Sequence, residues 1–186
     1  MRSMFAIAAF FLLIGTCQAS TDVIISKIRH EYKSIREALP TLAVESIELN
    51  DYSAEGGVGT AYRDATGHIR FILAKFYGES GKVFDEYYFK GGRLFFVYSE
   101  RHKYNVPFYV TPEDAKELGV EPFDPKKTGI LENRYYFHEM KLIRWIDENR
   151  KNVDVTADAF KAAEKEVIKF MKEIMEKFEK TGASVK

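Results

Sequence analysis

The chain has 186 residues, of which 46% are hydrophobic and 30% are charged, and its 28 Lys and Arg residues balance its 28 Asp and Glu residues. This length corresponds to one domain, because domains usually contain roughly 100 to 200 residues. A formal charge of zero supplies no net attraction for nucleic acid or for an anionic membrane, so we expect no nucleic-acid partner. A mean hydropathy of −0.29 excludes a polytopic membrane protein, and 15 Phe with 11 Tyr exclude a disordered chain.

The first 19 residues are typical of an export signal. Arg2 precedes an apolar run from Met4 to Gly15, and Cys17-Gln18-Ala19 resembles a signal-peptidase site. A helix of about twelve residues rises only about 18 Å, whereas the hydrocarbon core of a bilayer is roughly 30 Å thick. We therefore predict cleavage after Ala19, a periplasmic or extracellular location, and no transmembrane span in the mature chain. The alternative is a lipid anchor at Cys17, because Ile14-Gly15-Thr16-Cys17 resembles a bacterial lipobox.

Two amphipathic helices are predicted at the ends of the mature chain, residues 20–180, which we expect to form a single α+β domain. The first runs from Thr21 to Leu39, with Ser20 or Thr21 as its cap and Pro40 as its stop. The second begins after a cap at Thr156 and ends near Lys180. Residues 181–186 are expected to form a frayed tail.

In six segments between the helices, apolar and polar residues alternate with the period of two that is typical of strands. Short Gly-containing linkers separate the first four of these segments. Gly91-Gly92 is a two-residue linker suited to a primed turn. Tight turns join antiparallel strands, so we predict a β-meander. Thirteen aromatic residues lie between Phe71 and Tyr109, and we therefore expect helices to cover one face of a curled sheet. The predicted strands are Val58 to Asp64, His68 to Tyr77, Lys82 to Lys90, Arg93 to Arg101, Arg134 to His138 and Lys141 to Asp147.

A long connection, residues 102–133, follows the fourth predicted strand. Thr111 can cap a short helix from Pro112 to Leu118, with Gly119 after its end. Long ordered connections in compact domains are usually functional, so this one is the predicted binding surface, with basic residues that could engage an acidic partner. The candidate binding residues are Tyr104, Phe108, Tyr109, Phe123, Arg101, Lys103 and Arg134. The alternative is that the aromatic residues form a satellite core that pins the connection to the sheet.

An aromatic residue, a turn, a basic residue and an aliphatic residue recur at four places in the chain. They begin at Tyr62, Tyr77, Tyr88-Phe89 and Tyr136-Phe137, and the pattern resembles the hairpins of MORN-type repeats. The segment Ile28-Arg29-His30-Glu31-Tyr32-Lys33-Ser34-Ile35 resembles the opening helix of small secreted bacterial proteins of unknown function. This second resemblance implies no reaction and supplies no catalytic residues.

The sequence contains no recognisable catalytic or metal-binding motif. Its four histidines have no ligand spacing, so we expect no metal and no cofactor. The neighbours Asp85 and Glu86 point to opposite faces of a strand and cannot jointly flank a substrate. We therefore predict a non-catalytic exported domain that binds a protein or an envelope component. The alternatives are a small secreted hydrolase with carboxylates from separate strands, and a curled sheet that binds an apolar ligand in an aromatic cavity.

Overall fold

The computed structural model describes the backbone of residues 5–183 and the side chains of residues 20–181. One antiparallel sheet contains seven strands in the order of the chain. The fold is therefore α+β, with an open meander and helices at both ends. The strands are β1 (Ala43–Glu48), β2 (Gly57–Arg63), β3 (Ile69–Gly78), β4 (Gly81–Lys90), β5 (Arg93–Lys103), β6 (Gly129–His138) and β7 (Lys141–Ile146). The helices are α1 (Phe5–Ala38), α2 (Pro112–Leu118) and α3 (Asp158–Ala183).

The predicted export signal lies mostly outside the described residues. Residues 1–4 and the side chains of residues 5–19 are not described, and these include the Cys17 side chain. The backbone of α1 is continuous past residue 20, so neither Ser20 nor Thr21 begins a helix in the structure. None of the described helices combines the length and the apolar composition needed to cross a bilayer.

The predicted meander is confirmed, and its six strands correspond to β2 through β7. The prediction omitted β1, an edge strand that pairs only with β2 and exposes four of its six residues. Strand β6 begins at Gly129, five residues earlier than predicted, so Arg134 lies inside a strand. The connection between β5 and β6 is therefore residues 104–128 and not 102–133.

The two long helices cover opposite faces of the sheet, and the expectation that helices cover only one face is wrong. On one face, here called the α1 face, Ile25, Ile28 and Ile35 pack against Phe71, Tyr88, Phe95, Phe96 and Tyr136. On the other, here called the α3 face, Phe160, Met171, Ile174 and Phe178 pack against residues that include Ile72, Phe76, Tyr87, Val97 and Phe137. Side chains alternate between faces along a strand, so a sheet with aromatic residues at consecutive positions needs cover on both sides.

An aromatic row crosses the α1 face beneath the helix. Strand pairing aligns Tyr62, Phe71, Tyr88, Phe96 and Tyr136 on five neighbouring strands. Consecutive ring centroids are 5.2, 4.9, 5.7 and 5.0 Å apart, within the range of favourable aromatic contacts. Three of the four repeated aromatic positions noted in the sequence, at Tyr62, Tyr88 and Tyr136, thus belong to one row.

Three register shifts lie next to this row and break the strict alternation of the strands. They leave Arg70, Phe95 and Ile143 without a directly paired residue. Phe95 and Ile143 join the cluster under α1, and Arg70 bonds to Glu31 of that helix at 2.9 Å. Such bulges bend a strand and increase its local twist.

The local predictions around turns and caps are mostly confirmed. Thr111 and Asp114 form a reciprocal capping box on α2, and Gly119 ends the helix with φ of 67°. Helix α3 begins at Asp158 and not directly after Thr156, because the Thr156 hydroxyl bonds to Asp154 in the preceding turn. The helix continues to Ala183, three residues beyond the predicted end, and residues 184–186 of the predicted tail lie outside the described part.

Replacing Gly92 with Val is expected to destabilise the protein by at least about 1 kcal/mol, because L residues resist left-handed backbone conformations. Gly91 and Gly92 have φ of 55° and 73°, and a Cβ at Gly92 meets no atom within 4 Å. The loss in Gly92→Val therefore reports backbone strain without a steric clash. Chemical denaturation measures it, and Gly92→Asn, which tolerates positive φ, is the control. Equal stability of the Val variant and the wild type would refute the primed turn.

Candidate binding cleft

A cleft of about 380 Å³ opens on the α3 face, beside the turn that joins β3 to β4. Its walls come from the turn before β2, from the ends of β3, β4 and β5, and from the middle of α3. We call it the Asp85 cleft, after the one acidic residue among those that line it. The residues that define it are Tyr52, Phe76, Val83, Asp85, Arg101, Lys103 and Phe170.

Three aromatic rings form one wall of the Asp85 cleft. Tyr52 lies 6.1 Å from Phe76 and 5.2 Å from Phe170, and the latter two rings are 5.4 Å apart, all between centroids. Lys177 lies 5.0 Å above the Tyr52 ring and pairs with Asp51 at 2.9 Å, which fixes the turn that carries the tyrosine. The wall is therefore an ordered apolar surface contributed by three distant parts of the chain.

Asp85 provides a recessed carboxyl group in the cleft. It accepts hydrogen bonds from the hydroxyl groups of Ser99 and of the buried Tyr87. Burial raises the pKa of Asp85, while the Ser99 hydrogen bond and the Arg101 charge partly oppose that shift. Its neighbour Glu86 lies on the opposite face, where it pairs with Arg36 of α1 at 3.2 Å. The predicted separation of this acidic pair is thus observed.

Arg101 and Lys103 bring two positive charges to the mouth of the cleft. They are two residues apart on β5 and therefore share the α3 face. Lys103 is paired with Gly81 on β4 and with Gly129 on β6, and Gly81 in turn is paired with Gly78 on β3. These neighbouring positions carry no side chain, and Lys103 is exposed. At Gly81 a Cβ would clash with His102 O, so the close approach of β4 and β5 requires glycine there.

The seven predicted binding residues fall into three places. Arg101 and Lys103 line the Asp85 cleft, whereas Arg134 lies on the α1 face and bonds to Glu132 at 2.8 Å. The four aromatic residues lie in the connection, residues 104–128. The structure therefore does not bring the seven together on a single surface.

The aromatic residues of the connection form two pairs. Tyr104 and Phe123 are half-buried and meet edge to face at 5.2 Å, whereas Phe108 and Tyr109 are exposed and meet at 5.8 Å. Backbone bonds from Tyr104 to Ser80 and from Phe108 to Glu79 tie the connection to the turn beside the cleft. One pair therefore has the burial expected of a satellite core, and the other has the exposure expected of a binding surface.

A polar cluster on the α1 face bears on the hydrolase alternative. The Tyr98 hydroxyl lies 2.8 Å from Glu132 and 3.0 Å from Glu100, so it brings carboxylates from two strands together. Glu100 also bonds to His102. Hydrogen bonds from Tyr98 and Arg134 lower the pKa of Glu132. Hydrolysis by a pair of carboxyl groups requires a protonated acid and a charged carboxylate, and the lowered pKa of Glu132 fits only the second of these roles.

Tyr52, Phe76, Asp85 and Phe170 were not among the predicted binding residues. Their aromatic or acidic character was visible in the sequence, but three separate segments had to converge before they formed a wall. The glycines around Lys103 were equally visible, but Gly78 and Gly81 fell in a predicted turn and Gly129 in the predicted long connection. Register alone shows that they share one row with that lysine.

Comparison with known proteins supplies no relative, since no family model, no curated protein and no solved structure matches the chain. The resemblances to MORN-type repeats and to small secreted bacterial proteins thus remain expectations. Within the described residues, no group of three or more His, Cys, Asp or Glu side chains is arranged to hold a metal ion.

Proposed function

We propose that the protein is an exported, non-catalytic binding domain whose Asp85 cleft holds the apolar part of a ligand. The observation that carries this proposal is the cleft of about 380 Å³ with its wall of Tyr52, Phe76 and Phe170. Ligand sites usually have volumes of about 300 to 1,000 Å³ and apolar walls with a few polar groups. Asp85 and Arg101 are such polar groups in this cleft.

The Asp85 cleft itself favours binding over hydrolysis. Among the described residues Asp85 is the one acidic residue that lines it, so no second carboxylate of the cleft can act with it on a substrate. The connection with exposed Phe108 and Tyr109 is the second candidate surface, and it suits a protein or envelope partner.

The neutral amphiphile 1-decanol tests the cleft, and calorimetric titration of the purified protein measures its binding. We expect saturable binding, and Phe170→Ala should weaken it about tenfold because the variant loses one ring of the wall. Tyr109→Ala, which changes an exposed ring in the connection, is the matched control and should leave the affinity unchanged. Thermal melts of both variants check that they fold.

Two results would contradict this assignment. If neither the wild type nor the variants bind 1-decanol, the cleft does not take an apolar group. If Tyr109→Ala abolishes binding while Phe170→Ala has no effect, the binding surface is the connection.

Export is tested by expression in a bacterium and by fractionation of the cells. The apolar run before Ala19 and the short basic start predict a soluble periplasmic or extracellular chain whose first residue is Ser20. N-terminal sequencing of that fraction measures the cleavage point. Palmitate labelling that disappears in Cys17→Ser would instead establish the lipid anchor, and an uncleaved cytoplasmic chain would contradict both forms of export.

A further inference from the structure

We infer that the Asp85 cleft binds a fatty carboxylate, with the head group at Arg101 and Lys103 and the alkyl chain against Tyr52, Phe76 and Phe170. This inference rests on the proposed function and adds the chemical class of the ligand. A ligand of this class satisfies both halves of the site, because its tail is apolar and its head group is a single anion.

The charges at the cleft favour an anionic ligand. Arg101 and Lys103 reach the cleft from the same face of β5, and neither has a carboxylate of the described residues within the 4.0 Å of a salt bridge, although the Arg101 charge acts on Asp85. Asp85 already accepts bonds from Ser99 and Tyr87, and its burial disfavours the charged form. The cleft is therefore net positive at its mouth, which favours an anionic head group over a neutral or cationic one.

Glycines flank the lysine in its row of the sheet. Lys103 lies between Gly81 and Gly129 in the strand register, and Gly78 extends the same row. A Cβ at Gly129 would have Lys103 O, at 3.9 Å, as its only neighbour within 4 Å. A head group can thus approach the ammonium group from the face of the sheet without displacing another side chain of that row.

Apolar and basic groups of the cleft adjoin each other along β5. The apolar side is formed by Phe76 and Val83 on the sheet and by Tyr52 and Phe170 beside them. Strand pairing places Arg101 beside Val83, which is itself paired with Phe76, and Lys103 two residues further along, beside Gly81; Asp85 is paired with Ser99, on the other side of Val83. The two cations are exposed, so an alkyl chain on the apolar side can place its head group beside them, as an amphiphile requires.

Three probes with the same ten-carbon chain test the inference: decanoate, 1-decanol and decyltrimethylammonium. Calorimetric titration should show decanoate binding at least about tenfold more tightly than 1-decanol, since hydrogen bonds to ionised groups are roughly twice as strong as neutral ones. The cationic probe should bind most weakly. The double variant Arg101→Gln/Lys103→Gln should lose the preference for decanoate while it keeps its affinity for 1-decanol.

Two further variants separate a direct role of the cations from a general effect of charge. Arg93→Gln removes a positive charge at the other end of β5, away from the Asp85 cleft, and should leave the preference for decanoate intact. Gly129→Leu places a side chain beside Lys103 in a position with room for a Cβ, and it should weaken decanoate binding with no loss of charge.

Equal affinities for decanoate and 1-decanol, or tightest binding of the cationic probe, would overturn the head-group assignment and leave the apolar cleft standing. An Arg93→Gln variant that loses the preference as fully as the double variant would show a long-range charge effect and would also overturn it. Failure of all three probes to bind would instead refute the proposed function together with this inference.

Discussion

The row of aromatic rings across the α1 face is the constraint on which the rest of the structure depends. The rings of Tyr62, Phe71, Tyr88, Phe96 and Tyr136 pack side by side in tilted pairs on five strands, and Tyr88 and Phe71 are almost completely buried. Burial of this row requires α1, whose Ile25 and Ile28 pack onto it. Salt bridges from Glu31 to Arg70 and Lys90, and from Asp22 to Arg144, orient the helix along the row.

The same constraint explains the second helix and the cleft. The residues next in sequence to the members of the row point to the opposite face of the sheet. Ile72, Tyr87, Val97 and Phe137 are such neighbours and are apolar too, so α3 must cover them. Phe170, in the middle of α3, and Tyr52, in the turn before β2, border the cleft at the ends of β3, β4 and β5. The row of the sheet that contains Lys103 consists otherwise of glycine. The cleft thus lies where the apolar α3 face adjoins exposed residues at the ends of these strands.

Most of the secondary structure could be predicted because it depends on local patterns. The apolar stripes of α1 and α3, the Gly91-Gly92 turn and the Thr111 cap are each encoded within a few residues. The face that each helix covers could not be predicted, since a stripe shows that a helix is buried and not on which side of the sheet. The bulge at Phe95 could not be predicted from the sequence, because one extra residue in a strand does not alter the composition of that strand. The site was only partly predictable: Arg101 and Lys103 adjoin the connection, whereas Tyr52, Phe76 and Phe170 meet only in the folded chain.

Both faces of the sheet are buried, each by its own helix. Charge substitution on each helix tests this arrangement most directly. Ile25→Asp places a carboxylate under α1 and Ile174→Asp places one under α3, where the isoleucines are 2% and 0% exposed. Each should cost more than about 3 kcal/mol or abolish cooperative unfolding, because a buried unpaired charge is strongly unfavourable. Lys172→Asp, at an exposed position of α3, should unfold like the wild type apart from a small helix-propensity effect. If either isoleucine variant showed the stability of Lys172→Asp in chemical denaturation, one face would be open to solvent and the account would be contradicted.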